Sequence, residues 1–303
     1  MTRPTVNLAE SIRAKLRNLS KTQERSTAHL LEEYVRERFL FRLGCSPWAQ
    51  DFALKGASLF RLWSLNHRNT RDIDFWCRGS NDLDAVRAQL LQICQQPVED
   101  DGLIFEPDKM RLGRLHLGQP NQGVRVDMEV GLMSSRVVLR LDPGFGDEPS
   151  PAPRWTAYPT LLPMPAPWVC ACSAETSVGD KLHALVDLGQ TNTRLKDFFD
   201  LYYLSQSMEF EGELLLQAIR ASFARKATPW PSHIPEGLSD AFGLDPDKQS
   251  QWHTFLRRHE LKVTFSFQEI LAHLRPFLLP ALAAAANTAQ PWPKRWLKTG
   301  PWV

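Results

Sequence analysis

The 303-residue sequence has no excess of either charge: 36 Lys and Arg stand against 34 Asp and Glu, a net of +2. An overall basic field for holding nucleic acid is therefore excluded, and any contact with a polyanion must come from a local patch. Paired cysteines are also missing. Cys45, Cys77, Cys94, Cys170 and Cys172 are odd in number and scattered, without the two-residue spacing of zinc knuckles or redox dithiols, so reduced thiols in a cytosol are expected. The opening MTRPTVNLAESIRAKL has no apolar signal core, and FLLPALAAAA from Phe277 contains a proline and reads as too short to span a bilayer. A cytoplasmic protein with no membrane partner follows. No G-x-S-x-G nucleophile elbow occurs, and His253 and His259 stand six apart, off a common helix face, so neither a serine hydrolase nor a zinc site is expected.

What is present is a chain that is 43% hydrophobic, enough to bury a substantial core. Residues 1–50 read as two N-terminal helices, with Leu8, Ile12 and Leu16 on one and Leu30, Leu31, Tyr34 and Phe39 on the other. FALKG then reads as a strand ending in glycine, SLFRLW as helical, and DIDFW as a strand. NDLDAVRAQLLQICQ continues as an amphipathic helix capped by Asn81, and RLHLG with GVRVDMEVGL forms a hairpin around a Gly/Pro/Asn turn. Residues 142–168 are rich in proline and glycine and read as a linker or wrapping arm. Beyond them, SAETSVGDKLHALVDLG, RLKDFFDLYYLSQSM and several further amphipathic segments make the second half helical. The expected organisation is residues 1–50, a core over 51–168, and a helical domain over 169–303.

The chemistry-bearing residues lie in this frame. On an extended strand Asp72 and Asp74 project to one face, where like charges repel unless a cation neutralises them. Mg²⁺ (or Mn²⁺) takes carboxylate plus phosphate oxygens, so such a pair beside a nucleoside triphosphate suits a two-metal clamp. Two solvated aspartates at a strand edge are the alternative. Lys55, Gly56, Ala57 and Ser58 occupy a strand-to-helix turn whose backbone NH groups can receive phosphate oxygens. Arg68, shortly before the pair, joins them as a nucleotide-binding candidate. Asp127 sits between apolar neighbours in VRVDMEVG, where a buried charge needs compensation, and it is taken as the third metal acid ahead of Glu129 on the same face. Lys181 in GDKLHAL, a candidate to bind the triphosphate as a point charge, and Asp197 with Asp200 in RLKDFFDL place a cation and two acids on consecutive helices. Salt bridges on a helix face, to Arg194 or Lys196 for the acids, are the alternative there. The tail PWPKRWLKTGPWV combines Lys294, Arg295 and Lys298 with three tryptophans, suited either to phosphates and bases or to packing on the protein itself.

Taken together, YVRERFLFRLG, FALKGASLFRLW, RNTRDIDFW, VRVDMEVG and AETSVGDKLHALVDLG with RLKDFFDLYYL resemble the AbiEii/AbiGii nucleotidyltransferase toxins of type IV-like toxin–antitoxin and phage-defence systems. The family's glycine-rich motif matches Gly56, Ala57 and Ser58, its metal pair Asp72 and Asp74, its lysine Lys181, and its last acidic motif Asp197 and Asp200. Ala57 departs from the glycine or serine of many relatives. The resemblance implies an α/β (α+β) polymerase β-like core with a mixed sheet, N-terminal helices and a helical C-terminal half. It also implies transfer of a nucleotide from an NTP to an RNA acceptor, in particular the tRNA 3′ end, blocking translation and growth, with a cognate antitoxin encoded next door. A small-molecule (antibiotic) nucleotidyltransferase, a DxD glycosyltransferase and a non-catalytic partner-binding protein are the rivals.

Overall fold

A computed structural model of the protein describes residues 6–65, 68–115 and 123–303. These form two compact units, one of Met1–Glu148 with Pro153–Ala171, the other of Pro149–Ala152 with Cys172–Val303.

The first unit opens with helices α1 (Val6–Gln23) and α2 (Thr27–Cys45). Then come β1 (Phe52–Lys55), α3 (Leu59–Leu62), β2 (Asp72–Cys77), α4 (Leu83–Cys94), β3 (Ile104–Phe105), β4 (Arg111–Arg114), β5 (Val124–Leu132), β6 (Ser135–Phe145), β7 (Arg154–Ala157) and β8 (Trp168–Ala171). Among the described residues these strands make one eight-stranded sheet in the order β3-β5-β6-β2-β1-β8-β7, with β4 paired to β5 beside β3. It is mixed: β2 runs parallel to β6 and antiparallel to β1. The expected mixed α/β fold is thus what the chain adopts.

Periodicity explains the layering. β5 alternates buried Val124, Val126, Met128 and Val130 with half-buried or exposed Arg125, Asp127 and Glu129, so one face enters the core and the other carries charge. Buried Leu30, Tyr34, Phe39, Leu40 and Leu43 on α2 belong to the same core as Phe52, Leu54, Ile73, Phe75, Leu139 and Leu141. The N-terminal helices are therefore part of this unit, not a domain of their own. α2 also carries buried charge: Glu37 pairs with Arg38 at 2.9 Å, and Arg42 with Asp101.

Three local expectations are corrected. The cap of α4 is Asp82, not Asn81, because the Asp82 carboxylate accepts from the NH groups of Asp84 and Ala85. Residues 142–168 are no free linker. Asp142–Phe145 complete β6, and β7 and β8 add an edge to the sheet, so extended backbone there is held by ladder hydrogen bonds. The hairpin of β4 and β5 is present in antiparallel register, while its turn lies outside the described residues.

The second unit is mainly helical: α5 (Ala174–Leu188), α6 (Leu195–Ser207), α7 (Gly212–Arg225), α8 (Asp240–Leu244), α9 (Pro246–Arg258) and α10 (Phe267–Ala286), with short strands β9 (Phe210–Glu211) and β10 (Arg295–Trp296) pairing together. Ser173 caps α5, and Ser266 with Glu269 forms a reciprocal capping box on α10. The stretch FLLPALAAAA belongs to the 20-residue α10, which by length and composition alone could cross a membrane. Its Ile270, Leu271, Leu274, Phe277 and Leu278 are instead wholly buried in this unit's core.

Candidate active site

Asp72 and Asp74 share one face of β2, as the period-two argument expects, while Ile73 and Phe75 between and beyond them are buried. Gly56 begins the turn after β1 and lies against this pair. Its φ is +66°, and a Cβ added there would stand 2.1 Å from Asp74 Oδ2. A glycine is thus required both for the left-handed backbone and for room for the carboxylate. Ser58 is buried, and its hydroxyl donates to the Asp72 carbonyl at 3.4 Å, so it ties the turn to β2 in addition to any phosphate contact. Lys55 pairs with Asp74 across the strands, and its Nζ extends over Gly144 of β6. Ala57 lies in the same turn, and Arg68 lies in the loop before β2.

The register of the sheet then decides which other groups stand beside the pair. Asp127, Arg140 and Asp72 form one row across β5, β6 and β2; Arg125, Asp142, Asp74 and Lys55 form the row next to it. Charges alternate along the first row, whereas in the second the two acids Asp142 and Asp74 stand side by side between Arg125 and Lys55. Arg125 makes a two-pronged contact with Asp142, at 3.0 and 2.6 Å, and Arg140 binds Asp127 at 2.7 Å. Their guanidinium groups also approach Asp72, at 3.9 and 3.8 Å. The hydrogen bonds to Asp142 and Asp127 respectively hold Arg125 and Arg140 more firmly protonated than usual.

Adjacent strands stand about 5 Å apart, so Asp142 is one strand from Asp74, whereas Asp127 is two strands, roughly 10 Å, from Asp72. Asp127 is therefore the farther of the two from the pair, and both are engaged by arginine, Asp127 by Arg140 and Asp142 by Arg125. Glu129 is exposed and opposite Val138, farther along the sheet. Sequence reasoning missed Asp142, Arg125 and Arg140. The only signal for Asp142 is its alternation with Leu139 and Leu141, obscured by the Pro143-Gly144 that follows.

Whether this set suits a divalent cation can be judged from Asp72. Its Oδ1 is buried and accepts no hydrogen bond, the Arg140 guanidinium being too distant at 3.8 Å. A buried carboxylate oxygen without a donor is costly, and a cation between Asp72, Asp74 and Asp142 would satisfy it. Among the described residues no group of three or more His, Cys, Asp and Glu side chains stands together as a formed metal site, so Asp72 and Asp74 are a candidate pair for a cation.

Lys181, Asp197 and Asp200 come together in the second unit. Lys181 Nζ donates to both carboxylates at 2.7 Å, with the acids wholly buried, and Arg194 approaches Asp197 at 2.8 Å. The alternative of a helix-face salt bridge is present as well, since Arg194 stands three residues before Asp197. The tail packs on its own unit. Trp296 is 2% exposed, lies tilted against Phe277 and donates to the Ser205 carbonyl, while Trp302 stacks on Phe277 and contacts Trp292. Trp296 is thereby removed from any base-stacking surface. Arg295 pairs with Glu209, and Lys294 and Lys298 are exposed.

Comparison with known proteins gives a family and two distant folds. The family model for the nucleotidyl transferase AbiEii toxin of type IV toxin–antitoxin systems matches residues 38–273. The crystal structure of JHP933 from Helicobacter pylori is 18% identical with a TM-score of 0.49, covering 86% of this chain and 91% of that one. A second H. pylori structure, of a protein provisionally named a nucleotidyltransferase, is also 18% identical, with a TM-score of 0.47 and coverage of 86% and 94%. No curated protein matches.

Proposed function

Because the chain belongs to the AbiEii family of nucleotidyltransferase toxins, we propose that it transfers a nucleotide from an NTP to an RNA hydroxyl, in particular the tRNA 3′ end, and so blocks translation. The observation that carries the site assignment is the row register: Asp72 and Asp74 on one face of β2, with Asp142 beside them on β6. These three carboxylates would hold Mg²⁺, or Mn²⁺ in its place. When bound, the cations would acidify the attacking hydroxyl and neutralise the departing pyrophosphate.

The chain's own groups do the rest. The turn from Gly56 to Ser58 presents backbone NH groups toward the phosphates, and Lys55, reaching along the charged face, supplies a point charge. Arg125 and Arg140 balance the acids before the cations arrive, and Asp127 orients Arg140. Arg68 contributes to nucleotide binding. Lys181, held by Asp197 and Asp200, is assigned to nucleotide binding by its match to the family's lysine. As a type IV toxin it has a cognate antitoxin, which an adjacent gene would encode, and it acts in the cytoplasm, with phage defence as the biological setting.

The test is incubation of the purified protein with each labelled NTP, total RNA and Mg²⁺, Mn²⁺ or EDTA, followed by sequencing of RNA 3′ ends. Label should enter RNA only with the metal and should vanish in Asp72→Ala and Asp142→Asn. Labelling that survives EDTA or Asp72→Ala would defeat the metal assignment. Label found solely on a small hydroxylated molecule would defeat the RNA assignment.

A further inference from the structure

A protein of net charge +2 needs a concentrated patch to hold a polynucleotide, and the first unit has one. A cleft of about 800 Å³ between α1, α2 and the β5–β6 hairpin is lined by Arg13, Arg17, Arg71, Arg136 and Arg140, with Glu32 as its sole acid. Arg13 and Arg17 lie one turn apart on α1, so both point into the same wall. Among the described residues Arg13, Arg17 and Arg71 make no ion pair, and Glu32 is matched by Arg36 at 4.0 Å. Arg136 lies 3.8 Å from Glu106 and Arg140 is held by Asp127, so the charge of the cleft that is not neutralised internally is that of Arg13, Arg17 and Arg71. Between the arginines the lining is apolar, including Leu31 and Val138, the latter 48% exposed.

The cleft is continuous with the candidate active site. Arg140 approaches Asp72 at 3.8 Å, and Arg71 immediately precedes Asp72 in the chain. From Arg140 the lining continues along β6 to Arg136, four residues or about 13 Å, and across to α1. Cations spread over three elements with apolar surface between them suit a chain of separated phosphates with sugars and bases. A triphosphate is compact and would sit at Gly56 and Lys55 instead. The wall built by α1 also lies outside residues 38–273, so it is a feature of this chain beyond the matched family region.

We propose that this arginine cleft is the track that holds the phosphodiester backbone of the RNA acceptor and leads its end to Asp72 and Asp74; this rests on the nucleotidyl-transfer reading for its purpose but not for its detection. The full-length protein is titrated into a labelled single-stranded oligoribonucleotide of mixed sequence without NTP, across a salt series, and separately into labelled NTP with Mg²⁺. In Arg13→Ala/Arg17→Ala, RNA affinity should fall on the order of tenfold at low salt. The slope of log affinity against log salt should shrink by about 1.4, and NTP affinity should be unchanged. Lys15→Ala/Lys21→Ala, on α1 but outside the cleft, serves as the control for general charge loss and should bind RNA like the parent. Circular dichroism checks that each variant folds. Unchanged RNA affinity in the arginine variant, an equal loss in the lysine control, or loss of NTP affinity in step with RNA would overturn the proposal. Absence of any nucleotide transfer, with RNA binding still dependent on Arg13 and Arg17, would instead refute the proposed reaction and leave the RNA track standing.

Discussion

Replacing Gly56 with alanine probes the seat of Asp74 directly. The residue has φ of +66°, where an alanine costs about 1–2 kcal/mol relative to glycine. That alone should lower the melting temperature by roughly 2–8 °C. The second effect is local. A Cβ at this position would lie 2.1 Å from Asp74 Oδ2, short of the 3.4 Å at which ordinary contact begins, so the carboxylate must withdraw by more than about 1 Å. A displacement of about 1 Å at a reacting centre costs on the order of 100-fold in rate. Gly56→Ala should therefore remain folded, melt slightly earlier, and lose on the order of 100-fold in nucleotide incorporation. Stability measured in the Asp74→Gly background separates the two effects, because there the whole side chain that the new Cβ would meet is gone and the backbone cost remains. Parental turnover in Gly56→Ala would refute the claim that Asp74 rests against this turn in the active enzyme.

Four further outcomes are expected. Asp142→Asn should abolish incorporation as fully as Asp72→Asn, while Asp127→Asn should retain a measurable rate, because Asp127 acts through Arg140; the reverse ranking in steady-state assays would restore Asp127 as the third metal acid. Lys181→Met leaves Asp197 and Asp200 buried without their shared cation and should cost about 3–5 kcal/mol in urea unfolding; an unchanged midpoint would show that the triad is not structural. Burial raises the Glu37 carboxyl from 4.5 to about 7, so between those pH values the folded state keeps a proton that the unfolded chain loses, and stability falls as pH rises through that window before levelling off. Glu37→Gln should lack that fall, amounting to roughly 3 kcal/mol at most, and parallel parent and variant curves from pH 5 to 8 would contradict the buried-acid reading. Removing residues 291–303 takes away Trp296, whose loss from a core costs about 3–5 kcal/mol, so the truncated protein should be markedly destabilised by calorimetry; an unaltered melt would return the tail to the surface.

The sequence by itself determined the elements whose information is local. Alternation in DIDFW placed Asp72 and Asp74 on one face, the glycine after FALK marked the turn at Gly56, and helical spacing put Asp197 and Asp200 one turn apart. Each depends on a period of two or 3.6 residues, which a short segment carries complete. The tertiary structure alone decided what depends on register between distant segments. Asp142 stands beside Asp74 because β6 runs parallel to β2, and no spacing along the chain expresses that pairing. Pro143 and Gly144 made the end of β6 resemble a linker, although ladder bonds to β2 hold it extended. The tail's tryptophans show no preference between solvent and core until Phe277 and Ser205 are in place to receive them. In the same way Arg13 and Arg17, an ordinary basic helix face in isolation, become one wall of a cleft only when α1 packs beside Arg136 and Arg140. Local periodicity sets which face of an element a residue occupies, and burial of the shared core sets which faces meet.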